Sequence, residues 1–182
     1  MKIINWYRNV LEFIGKLELL ICLLLLSSIV LLILSQVFSR YFLGQPIIFV
    51  EELATYALIW LGLTSASLAY KYNRHITIRT YEKHASDTVK KIMSFSINLV
   101  VLSVMSILIQ NIPNAMKTEM MQQSVGLPIN IHLHWFFSVP LLICFCSIAF
   151  TSLLYAIESL IGLPKPILIS SEDPSLADDI GL

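Results

Sequence analysis

The chain has 182 residues, 57% of them hydrophobic and only 13% charged, with a mean hydropathy of +0.78; soluble domains average about 45 to 50% apolar and about 25% charged residues. That composition excludes a water-soluble enzyme. Twelve Lys and Arg balance twelve Asp and Glu, so no basic excess exists to neutralise phosphates, and no nucleic-acid partner is expected.

From the N-terminus, residues 1–16 set Asn5, Arg8, Asn9, Glu12 and Lys16 at helical spacing among Ile3, Trp6, Tyr7, Val10, Leu11, Phe13 and Ile14. This pattern predicts an amphipathic helix at the lipid interface, with protein binding as the alternative use of such a face. Four long uncharged windows follow, and a helix needs about 20 apolar residues to cross a hydrocarbon core of about 30 Å. They predict transmembrane helices over about 17–39, 53–70, 92–112 and 135–157. The first run is too long for a signal-peptide core and lacks a small-residue cleavage pattern, so it reads as an uncleaved anchor. Residues 120–134 are polar and contain Gly126 and Pro128, which suits an outer loop or interfacial segment. Pro140 is a candidate kink in the fourth span. Acidic residues 170–182 read as a solvated tail. The expected fold is therefore an all-α integral membrane protein of one four-helix domain.

Lys and Arg orient it. Lys2, Arg8, Lys16, Lys71, Arg74, Arg79, Lys83, Lys90, Lys91 and Lys165 fall on one side, against Arg40 and Lys117 on the other. The excess places both termini in the cytoplasm.

Chemistry is sparse. The sequence places Glu18, Glu51, Glu52, Lys71, Lys91 and Glu158 at helix ends, within reach of headgroups or water, and leaves no ionisable group at mid-span. A chain without such groups has little to offer a polar solute, because unpaired polar groups are costly in hydrocarbon. His132 and His134 point about 200° apart on a helix and could share a metal only in extended backbone. Cys144 and Cys146 have the same spacing, and with Cys22 they read as core or lipid-facing residues rather than a disulfide framework. No cofactor and no metal site is expected.

Packing features are more numerous. Thr55, Gly62, Ala66 and Ala69 give the second span a low ridge that admits a neighbouring backbone. Ser28, Ser35 and Ser39 repeat the idea in the first span, and Ser96, Ser103 and Gln110 form a stripe spaced by sevens in the third. Such stripes either hold the four helices together or face a partner. The densest group runs Arg40-Tyr41-Phe42, Glu51-Glu52-Leu53, Trp60-Leu61-Gly62, then Lys71 to Ile76 with Arg74 and His75. Acids opening a helix and Lys71 closing it complement its dipole by about 0.3 to 1 kcal/mol each. Adjacent acids project about 100° apart, so one of Glu51 and Glu52 can cap the helix or meet Arg40 while the other turns toward a neighbouring chain.

With Arg40, Glu51-Glu52-Leu53-Ala54, Trp60, Gly62 with Ala66, and Arg74-His75-Ile76 in this order, followed by Gly126-Leu127-Pro128, Trp135 and Pro140, the chain resembles the small membrane subunit of tripartite ATP-independent periplasmic (TRAP) transporters. Leu141 after Pro140 departs from the Gly common there. The resemblance implies a non-catalytic subunit in the bacterial inner membrane, paired with a large many-span subunit that holds the Na⁺ and solute sites and served by a soluble periplasmic binding protein. It also implies organic acids as solutes: dicarboxylates, keto acids, sugar acids or sialic acids. On this reading the chain is a lipid-embedded scaffold, and its outer loops help dock the binding protein. Arg40, Glu51, Glu52, Trp60, Gly62, Ala66, Arg74 and His75 are the candidates for partner-interface or local ion-pair residues. The rival readings are an autonomous four-helix exporter or antiporter working as a homodimer, and a membrane redox or disulfide enzyme.

Overall fold

The computed structural model describes residues 2–45, 47–71 and 87–161. They form four long helices, α1 (Lys2–Phe38), α2 (Ile48–Lys71), α3 (Asp87–Glu119) and α4 (Ser138–Ile161). A π-helical turn over Ser39–Leu43 and a 3₁₀ turn over Leu133–Trp135 complete the set. The only strand-like feature among the described residues is an isolated antiparallel bridge between Gln123 and His132. All four helices are long and apolar enough to cross a membrane.

The helices stand in a row rather than a closed bundle. α2 packs on α1 and α4, α3 leans on α4, and α1 touches α4 mainly near its N-terminal end. Burial follows from that order: 39% of the α4 span is buried against 11% of the α3 span, which makes α4 the central support and α3 an edge. Few side chains are fully enclosed, because neighbours cover only one or two sides of each helix. One core cluster joins Leu11 of α1 to Leu154 of α4, with Tyr7, Ile14 and Tyr155 around it.

Two boundaries differ from those expected. Residues 2–38 form one unbroken helix, not a separate interfacial segment followed by a span, because no Gly-Pro signal interrupts the apolar face after Lys16. At about 1.5 Å per residue it is about 55 Å long, so it outruns the hydrocarbon core at one end or tilts strongly within it. α3 runs from Asp87 through Pro113 to Glu119, past both ends of the expected 92–112 span, and the loop between α3 and α4 starts at Met120 as expected. The cost of an interior proline is offset where the last turns are held down: Ser138 at the start of α4 donates a 2.5 Å hydrogen bond to Glu119. Pro140 lies in the first turn of α4, where a missing N–H removes no helix bond, and the helix runs on unbroken to Ile161. α1 ends through the π turn and Gly44, whose φ of 69° is left-handed. Ser39 donates to the Gln45 carbonyl at 2.7 Å, and the Gln36 side chain accepts from the Ile47 N–H at 3.2 Å, which fixes the turn toward α2.

Candidate functional site

The Arg40 to Lys71 unit is built on the facing sides of α1 and α2. Its two acids separate, as their angular spacing requires. Glu52 turns inward and accepts from the Tyr56 hydroxyl, from Ser124 Oγ at 2.8 Å and from the Gly126 N–H at 2.5 Å. Ser124 in turn accepts from the Leu127 N–H at 3.2 Å, while its own N–H donates to the Ile131 carbonyl at 3.0 Å. One carboxylate therefore pins the loop between α3 and α4 to the head of α2. Tyr56 adds a flat stack on Phe136, with ring centroids 3.9 Å apart and planes 6° apart, and an edge contact with Phe137.

Glu51 points the other way. It is exposed, as is Arg40, and no ion pair joins them among the described residues. Both line an open groove of about 770 Å³ between α1 and α2, walled by Ile29, Ile33, Val37, Val50 and Leu58. Trp60 is half-buried on the inner side of α2, where its carbonyl accepts from Thr64 Oγ1 at 2.7 Å. Gly62 and Ala66 are exposed, and Gly62 lines an apolar groove shared with Ala115 of α3 and Leu141 of α4. A Cβ added at Gly62 would meet nothing within 4 Å, so the packing of these four helices does not require a glycine there. Arg74 and His75 lie outside the described residues, as does the 170–182 tail.

The expectation that every charge sits at a helix end within reach of water fails at Glu18, Lys71 and Glu158. All three are buried, with Lys71 fully enclosed. Lys71 Nζ lies 2.6 Å from Glu18 Oε1 and donates to Ser147 Oγ at 2.7 Å. Ser147 and Ser67 donate to the same Glu18 oxygen at 2.7 and 3.1 Å. The cluster ties α1, α2 and α4 together at Ser147, about 18 Å along the chain axis from Trp135 and about 16 Å from Glu158, near the middle of the α4 span. The reason is staggering: α4 starts beside Tyr56 rather than beside the head of α2, so the inner end of α2 meets α4 at mid-helix. A second pair, Arg8 to Glu158 at 2.7 Å, clasps the N-terminal part of α1 to the end of α4. A matching signal exists in the sequence, since Glu18 opens the first apolar window and Lys71 closes the second. Antiparallel neighbours bring those ends together.

The serine stripes also resolve. α3 joins the other helices through Ser94 and Asn98: Ser152 Oγ donates to the Asn98 carbonyl at 2.6 Å, Ser159 to Ser94 at 3.2 Å and the Tyr70 hydroxyl to Asn98 Oδ1 at 2.9 Å. Ser96, Ser103 and Gln110 are exposed on the opposite side, and Ser28 and Ser35 bond only to carbonyls of their own helix. His132 and His134 sit at the foot of the outer loop with ring centroids 5.9 Å apart, the backbone of His132 being extended. No third metal-ligating side chain joins them among the described residues.

Residues 29–162, most of the helical body, match the family of tripartite ATP-independent periplasmic transporters, DctQ component. The chain belongs to this family. A relative described as a putative TRAP transporter small permease protein, from Haemophilus influenzae (strain ATCC 51907 / DSM 11121 / KW20 / Rd), is 31% identical over 71 residues. That match takes in 39% of this chain and 44% of the relative, so the chain spans under half of the length of the curated relative it matches. The DctQ segment starts at Ile29 and therefore contains Arg40, both acids of α2, Gly62 and Lys71, while Glu18 and Arg8 precede it. The family is that of the DctQ component of tripartite transporters, and the four long apolar helices suit a multi-pass membrane protein.

Proposed function

We propose that this DctQ chain is the non-catalytic scaffold of a secondary, ion-gradient-driven transporter for organic acids, lodged in the bacterial cytoplasmic membrane with both termini inside. It pairs with the large multi-span transport subunit, and its outer loop, held by Glu52, helps dock the periplasmic binding protein. The observation that carries the reading is the open face of α2, where Glu51, Thr55, Gly62 and Ala66 are exposed, Glu51 and Thr55 lining the groove beside α1 and Gly62 the apolar groove beside α3 and α4, with open space where a Gly62 Cβ would sit. A low ridge of this kind lets a foreign helix approach closely, and in lipid that packing replaces the hydrophobic drive available in water. The charged cluster inside the chain favours the same division of labour. Lys71 and Glu18 neutralise each other and are closed in by Ser67 and Ser147, and neither the α1/α2 groove nor the apolar groove beside Gly62 touches them. Charges arranged this way brace helices and line neither of the two grooves.

The test is co-purification with the large subunit in mild detergent. Gly62→Ile is expected to lower recovery of the large subunit by tenfold or more while the chain itself accumulates normally. Solute flux through the chain alone in liposomes would replace this reading with the autonomous exporter.

A further inference from the structure

The groove between α1 and α2 carries its charges at one end. Its volume is about 770 Å³, buried Ile29 and Val50 form its floor, and exposed Ile33, Val37 and Leu58 form its flanks. Arg40 and Glu51 share one mouth because α1 ends where α2 begins: Arg40 lies in the π turn after α1 and Glu51 in the first turn of α2. Two other polar lining residues are already engaged, Gln36 accepting from the Ile47 N–H at 3.2 Å and Thr55 donating to the Glu51 carbonyl at 3.0 Å. The side chains of Arg40 and Glu51 are exposed and have no ion-pair or hydrogen-bond partner among the described residues. By helix rise, Ile29 is about 16 Å from Arg40 and Leu58 about 10 Å from Glu51. The groove therefore runs into about half of a hydrocarbon core of about 30 Å and stops. Farther along, the hydrogen bond from Ser67 to Glu18 at 3.1 Å ties α2 to α1.

We infer that this groove binds one phospholipid whose headgroup carries a primary ammonium, a phosphatidylethanolamine: Arg40 takes the phosphate, Glu51 takes the ammonium, and an acyl chain lies along Ile33, Val37 and Leu58. Depth is the first argument for this occupant. A partner helix crosses the whole core and packs along its length, whereas a lipid fills one leaflet, which is the depth the groove has. Polarity is the second. Charge at the boundary of the span with an apolar wall below it repeats the order of head and tail in a lipid, and a free phosphate would leave that wall bare to water. Charge is the third. A cation and an anion that do not pair with each other complement a zwitterion, the planar guanidinium matching phosphate oxygens and the carboxylate accepting from the ammonium. A headgroup charged only at its phosphate leaves Glu51 opposed rather than paired, and a choline has no N–H to donate to it. Every group invoked belongs to this chain, so the site stands whichever face the large subunit covers elsewhere.

Photo-labelling in vesicles that contain the full chain with its large subunit tests the site. The probes are phospholipids with a diazirine midway along one acyl chain and an ethanolamine, glycerol or choline headgroup, and the readout is the position of the label on this chain's own peptides. The ethanolamine probe is expected to label the segments around Ile33, Val37 and Leu58 about fivefold or more above Val104 and Ile107, which are exposed on α3 and report bulk lipid. The glycerol and choline probes are expected to label the groove less. Arg40→Gln is expected to bring the ethanolamine signal down to the α3 level. Glu51→Gln keeps the hold on phosphate and is expected to move the preference toward the glycerol headgroup. Both side chains are exposed and unpaired, so neither variant removes a bond from the fold. Groove labelling no stronger than on α3, equal labelling by all three headgroups, an ethanolamine preference unchanged in Glu51→Gln, or a groove shielded from every probe by the large subunit overturns the inference. The same labelling of the chain alone in vesicles keeps this result separate from the partner reading: loss of co-purification leaves the label pattern readable.

Discussion

Lys71→Met removes the enclosed ammonium and leaves Glu18 buried without its counter-charge. The Lys71 side chain is fully enclosed, and that of Glu18 is 9% exposed, so solvent cannot take over the missing partner. Breaking one side of a buried pair typically costs about 3 to 5 kcal/mol. Ser67 and Ser147 still donate to Glu18 at 3.1 and 2.7 Å, which places the expected loss near the lower end, about 3 kcal/mol. Methionine matches the length of the stem, so little of the change comes from an emptied volume. The double variant Glu18→Gln with Lys71→Met removes both charges and is expected to recover all but about 1 kcal/mol, since a neutral amide at this position keeps the serine bonds. The assay is a double-mutant cycle on reversible unfolding in mixed detergent micelles, with Lys71→Met, Glu18→Gln and the double variant compared with the parent chain. A stability for Lys71→Met within about 0.5 kcal/mol of the parent refutes the structural role of the cluster, because that is the range of surface substitutions with no special contacts.

Other substitutions separate neighbouring residues by role. Glu52→Ala strips two hydrogen bonds from the loop between α3 and α4 and is expected to raise protease cleavage within residues 120–132 by about tenfold or more. Glu51→Ala, one position earlier and exposed, is expected to leave cleavage unchanged, and equal cleavage of the two variants contradicts the assignment. Ser152→Ala deletes the donor to the buried Asn98 carbonyl and should cost about 1 kcal/mol of unfolding free energy in micelles. Ser96→Ala, on the exposed side of α3, should cost the isolated chain nothing measurable, in contrast to Ser152→Ala on α4.

Composition and window length alone determine an all-helical membrane chain with four crossings, because a bilayer demands internal backbone pairing over about 20 apolar residues whatever lies beside them. The order of Arg40, Glu51-Glu52, Trp60 and Gly62 carries the family, and the spacing of the two acids foretells that they part company. The partner each finds is a tertiary matter. Glu52 meets Ser124 and Gly126 across 72 and 74 residues, and no local pattern encodes that distance. Likewise the sequence puts Glu18 and Lys71 at the margins of their windows, and only the stagger of α4 against α2 turns those margins into an enclosed, paired interior site. Which serines bind within the chain and which face outward is settled by the same rotation: Ser94 and Ser96 are two residues apart, about 200° around α3, and one lies against α4 while the other looks away. Apolar length is a property of a segment, whereas depth, register and facing belong to pairs of segments, and these exist only once the helices have packed.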